Sequence, residues 1–182
     1  MRFAEFLRAT VLLCAAAASA LAAVTLASTA AGASIAVLEV SGAWWVLAAL
    51  AGLWIGRRGQ ASAQIASLLA RARSQTTLPA VNPARTLLNR LWPLLLCTVG
   101  AGALGAALPQ VPGVAAGFAI IWALAWRRQA AAVSAIERRD GARFYVADTS
   151  PVRPIELLRT PGFRAELRDL DGAGRRRARP RA

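Results

Sequence analysis

The chain of 182 residues is 57% hydrophobic and 17% charged, with a mean hydropathy of +0.45, whereas a soluble domain is about 45–50% apolar and about 25% charged. That excludes an ordinary soluble domain and a disordered chain. All 22 basic residues are arginines, set against 9 acids for a net charge of +13. With no lysine, no histidine and only Cys14 and Cys97, both in apolar runs, several chemistries drop out: imidazole acid–base steps, Ser-His-Asp and Cys-His pairs, the phosphate-loop lysine, Schiff bases and the common zinc sites.

The first apolar stretch, Ala9 to Gly56, carries Glu39 as its one charge. A span needs roughly 20 apolar residues, so this stretch holds two, placed at Ala9–Ala31 and Ile35–Ile55. The turn between them falls at Gly32-Ala33-Ser34 or, alternatively, at Ser41-Gly42. Residues 1–56 thus form a first transmembrane hairpin. A competing reading takes Arg2, Arg8, Ala9–Ala17 and Ala18-Ser19-Ala20 as a cleavable signal peptide. The apolar run continues to Ala31, which favours an uncleaved helix.

Residues 57–90 form a basic loop, with Arg57, Arg58, Arg71, Arg73, Arg85 and Arg90 and no acid. Within it, Gln60–Arg73 places Ile65, Leu68 and Leu69 on one helical face. That suits either a helix on the membrane surface or an extension of the second span. Asn82-Pro83 is a helix start, and Pro93 is expected to kink the helix that follows.

Residues 91–126 carry no charge and form a second hairpin around Pro109–Gly113, with spans at Leu91–Leu108 and Val114–Trp126. The last is short, rising only about 20 Å. It either extends through Arg127 and Arg128, whose side chains snorkel, or the hairpin enters the bilayer without crossing it. Positive charge flanks every inner end and is missing from both hairpin tips. The positive-inside rule therefore sets both termini and the middle loop in the cytoplasm of a cell (plasma or inner) membrane.

Two Gly-xxx-Gly spacings stand out, Gly52/Gly56 and Gly113/Gly117. Such pairs allow close helix approach, either between copies of the chain, which would make a homo-oligomer, or within one copy. Trp54, Trp92 and Trp126 mark the inner interface and Trp44 and Trp45 the outer one, as an aromatic belt.

Residues 127–182 form a cytoplasmic tail. A helix over Arg127–Glu137 ends at Asp140-Gly141. Arg143–Ala147 and Pro154–Arg159 read as strands of a β-hairpin around Ser150-Pro151, followed by a turn at Thr160-Pro161-Gly162-Phe163. Phe144, Tyr145, Val146, Ile155, Leu157 and Phe163 need a surface to bury against and are the candidate docking residues. From about residue 172 the arginine-rich end is expected to be disordered. The fold class expected is thus an all-α integral membrane protein: four transmembrane helices as two hairpins, with a small tail that includes a candidate β-hairpin.

These residues point to a protein acting by interaction, as scaffold, assembly factor or accessory subunit, through its tail. A subunit of a transporter or channel is the alternative, and a membrane enzyme comes third, because no catalytic constellation is found. No cofactor and no metal site are expected. The partners expected are the bilayer with its anionic lipid headgroups, a protein at the tail and a second copy, with no specific nucleic acid.

Overall fold

The first apolar run folds as a single helix, α1 (Phe3–Ala30), in a computed structural model that describes residues 1–57, 62–74, 83–147 and 155–161. α1 begins six residues before the expected Ala9. The Arg2 backbone N–H donates to the Glu5 carboxylate at 3.3 Å, and an acid in the first turn complements the positive helix end. The chain then reverses at Gly32, whose φ of +107° is a conformation glycine adopts without a Cβ penalty. Ser34 caps α2 (Ile35–Ile55), accepting from the Ala36 N–H at 3.3 Å. α2 runs uninterrupted through Ser41 and Gly42, so the alternative turn at those residues is not used.

The middle loop contributes α3 (Ala63–Ala70), a separate short helix rather than an extension of α2, and β1 (Arg73–Ser74), which the sequence reading missed. α4 (Pro83–Leu104) follows and contains Pro93 without ending there. α5 is Gln110–Trp126. The expected turn at Pro109–Gly113 is displaced, because Pro112 and Gly113 lie inside the start of α5. The first N–H groups of a helix have no intrahelical partner, so a proline there costs no hydrogen bond. This adds a turn to the 13 residues expected and brings α5 to 17 residues, about 25 Å. Among the described residues, three helices are long and apolar enough to cross a membrane: α1, α2 and residues 84–104 of α4.

The tail supplies α6 (Gln129–Asp140), closed by Gly141 in the left-handed conformation at φ +61°. β2 (Ala142–Val146) and β3 (Leu157–Pro161) then pair antiparallel, with Phe144 opposite Arg159 and Val146 opposite Leu157. The expected strand Pro154–Arg159 is corrected to one that starts at Leu157, after Ile155 and Glu156, and Pro154 lies outside the described residues. Thr160 and Pro161, expected in a turn, sit opposite Arg143 and Ala142 in the ladder. Tertiary pairing with β2 outweighs the local turn preference. Ser150, Pro151 and Phe163 lie outside the described residues. β1 runs parallel to β3, giving the order β1-β3-β2.

α5 packs chiefly on α1 and α2, and these two barely touch each other. The hairpins therefore interleave: α5, from the second, is inserted between the two helices of the first. Ala17, Ala18 and Ala119 form a thin seam between α1 and α5. On the other side the four Gly-xxx-Gly residues face α2–α5 contacts. A Cβ on Gly52 would lie 2.9 Å from the Leu124 Cβ and one on Gly105 2.5 Å from Pro112 Cγ, while Cβ atoms on Gly56, Gly113 and Gly117 would run into the Leu124 carbonyl, the Ser41 side chain and the Trp44 indole. Trp44 and Trp45, expected as interface anchors, hold α2 to α5. Their indole N–H groups donate across the contact to the carbonyls of Val114 (3.1 Å) and Gly113 (2.8 Å). α4 is peripheral, with Leu88, Leu96 and Val99 all exposed.

Candidate functional site: the lobe and its cleft

At the end of the bundle where α1 and α4 begin and α5 finishes, the start of α1 shares one core with α3, α6 and the sheet. α1 gives Phe3, Phe6 and Leu7; α3 gives Ile65; α6 gives Val133; the sheet gives Phe144, Val146 and Leu157. The N-terminus joins this sheet directly. Met1 C=O accepts from the Val146 N–H at 3.1 Å, and Arg2 bridges to Tyr145 in antiparallel register. A five-residue strand alternates faces, so Ala142, Phe144 and Val146 turn inward while Arg143 is exposed. Burying a side chain such as Phe or Val contributes roughly 1.5–3 kcal/mol.

The candidate docking residues are thereby located. Phe144, Val146 and Leu157 are buried among the chain's own residues, Ile155 packs on the same core, and Tyr145 is half-buried. Phe163 lies outside the described residues. The surface these side chains need is supplied by the N-terminal turn of α1 and by α3 and α6. Phe3, Phe6 and Leu7, which the sequence reading passed over, carried a visible signal. They are apolar at helical spacing among Arg2, Glu5 and Arg8.

α3 is fastened by two hydrogen bonds. The Ser62 hydroxyl accepts from the Ile65 N–H at 3.4 Å, and the Ser62 N–H donates to Oε1 of the buried Gln129 at 3.0 Å. Gln129→Leu leaves the Ser62 N–H without that acceptor, which costs about 1–3 kcal/mol when the site stays dry. We expect amide exchange in Ala63–Ala70 to speed up in that variant while exchange in α5 stays unchanged. Equal protection of α3 in both proteins would show that the glutamine does not hold it.

The lobe's surface is basic, with Arg71, Arg73, Arg138, Arg139, Arg143 and Arg159 exposed. Arg128 Nη1 donates to the Arg57 carbonyl at 3.0 Å, just beyond the C-terminus of α2, where cations are favoured. Arg139 Nε meets Asp140 Oδ1 at 2.8 Å. This hydrogen bond and its charge hold the Asp140 carboxyl below the usual carboxylate range. Both groups are solvent-exposed, and such a pair contributes little to stability.

Between the lobe and the spans lies a largely apolar cleft of about 320 Å³, reached by residues of α1, α3, α4 and α5 and by Ile155. Trp122 and Trp126 form part of its wall, with ring centroids 5.7 Å apart. Cys14 is buried in it and Cys97 is exposed on α4. Among the described residues no three Cys, Asp or Glu side chains come together as a metal-holding group. No family model, curated protein or solved structure matches the chain.

Proposed function

We propose that this is a four-span protein of the cell membrane that acts by interaction, as a scaffold, assembly factor or accessory subunit, with the inner lobe as its docking unit. One observation carries the reading: Phe3, Ile65, Val133, Phe144 and Leu157, drawn from the N-terminus, the middle loop and the tail, bury in a single core. These three segments are the arginine-rich ones, and a shared core requires them on one side of the membrane. The positive-inside rule makes that side the cytoplasm. α5 completes a fourth span when its 17 residues are extended by Arg127 and Arg128, because arginine stems lie along apolar surface while their heads reach water. The exposed face of the lobe carries arginines and suits an acidic protein surface, more than a free tail would, since its backbone is already ordered.

Topology is tested with reporters. Fusions after Arg73 and at the C-terminus should read cytoplasmic, and an insertion between Leu108 and Pro109 should read external. A cytoplasmic reading at Leu108 alongside an external one at Gly32 would establish a re-entrant second hairpin instead. Docking is tested by crosslinking in native membranes, comparing the full chain with an Arg138→Glu/Arg143→Glu variant. Both side chains are exposed, so insertion should be unchanged while the crosslinked partners are lost. An unchanged set of partners would remove the lobe from the interaction.

A further inference from the structure

We propose that the cleft below the lobe is a binding site for one anionic membrane phospholipid, with an acyl chain along α1 and the headgroup phosphate at Arg90. Three features of the cleft carry this. Its α1 wall runs from Phe3 to Cys14, about 16 Å of helix, which in the orientation proposed above lies along the membrane normal. Trp122, one of its walls, is 56% exposed and lies about one turn before Trp126 in α5, so in that orientation the cleft opens toward the bilayer. A site that opens at that depth is filled from the hydrocarbon layer, not from water.

The third feature is charge. Among the described residues lining the cleft, Arg90 is the one that is charged, and no acid is present. It stands immediately before the uncharged run that starts at Leu91, the depth at which phosphates of the inner leaflet lie. The five N–H donors of a guanidinium suit a phosphate, and Gln64 and Thr10 line the same cleft as polar residues. At about 320 Å³ the cleft sits at the small end of ligand sites, which run roughly 300–1,000 Å³. It thus takes one chain rather than a whole lipid. A water-soluble anion would leave the Trp122, Leu68 and Phe6 walls unused.

The chain contains its own probe. Cys14 lines the cleft and Cys97 lies outside it on α4, so Cys97→Ala leaves a single thiol that reports on occupancy. The experiment measures the reaction of Cys14 with an apolar maleimide in nanodiscs of phosphatidylcholine alone or with phosphatidylglycerol. We expect phosphatidylglycerol to slow labelling about tenfold, the value for a site roughly nine-tenths filled when only the empty fraction reacts. Adding Arg90→Gln should abolish the slowing. Arg85→Gln, an exposed arginine of the same helix outside the cleft, should retain it, separating the site from general bilayer charge. Native mass spectrometry of the wild-type protein should show one phosphatidylglycerol retained per chain, and Arg90→Gln should lose it. Equal labelling rates in the two bilayers overturn the proposal. So does slowing that survives Arg90→Gln or disappears with Arg85→Gln, and so does retention of phosphatidylcholine in equal amount.

Discussion

Replacing Gly117 with leucine is expected to destabilise the membrane bundle by about 3 kcal/mol, whereas the same change at Gly100 is expected to cost nothing. Overpacking a tight contact costs about 1–3 kcal/mol, and an interhelical hydrogen bond in a membrane adds about 0.6–2 kcal/mol. Gly117→Leu incurs both, because its Cβ falls on the Trp44 indole, the group that donates to the Val114 carbonyl. A Cβ on Gly100 has nothing within 4 Å, and a helix gains about 0.5–1 kcal/mol when an interior glycine acquires a side chain. Thermal unfolding in detergent distinguishes them. Equal midpoints for the two variants would mean that α2 and α5 do not meet through Gly117.

Loss of Phe3 should release the other end of the chain. Phe3 is 2% exposed and Phe144 3%, and truncating a buried phenylalanine to alanine costs about 3–5 kcal/mol. Phe3→Ala should therefore admit protease to the tail beyond Gly141, far away in sequence, as readily as Phe144→Ala does. The two changes together should cost less than their separate effects combined, by a coupling of about 0.5–3 kcal/mol, since residues sharing a core are not independent. Arg143→Ala, on the opposite face of the same strand, should stay within about 0.5 kcal/mol of the parent. Protection of the tail that is indifferent to Phe3 would show that the N-terminus does not hold it.

Both predictions concern contacts that no local pattern names. The three long apolar helices were legible because a bilayer imposes a length on apolar runs and confines arginine to their ends. α2 matched its expected limits, Ile35 to Ile55, for that reason. Gly32 and Gly141 were legible as chain reversals because each takes a positive φ. Boundaries went astray where a tertiary partner intervened. β3 began at Leu157 rather than Pro154 because β2 set its register, and α1 began at Phe3 rather than Ala9 because the lobe buries its first two turns.

The sequence by itself determined that this is a membrane chain of apolar helices, which ends carry the charge, and that β-rich residues in the tail required burial. Tertiary structure alone decided what met what. Lipid is as apolar as leucine, so hydrophobicity does not select which helix packs on which; shape does. The glycines of α2 and α5 and the tryptophans that reach across them bring α5 between α1 and α2, although chain order makes α1 and α2 neighbours. In the lobe, water restores the hydrophobic drive, but one small hairpin lacks the area to use it alone. Phe144, Val146 and Leu157 are therefore buried by Phe3 and Phe6 from the far end of the chain, a pairing set where α1 begins and α5 finishes at one end of the bundle.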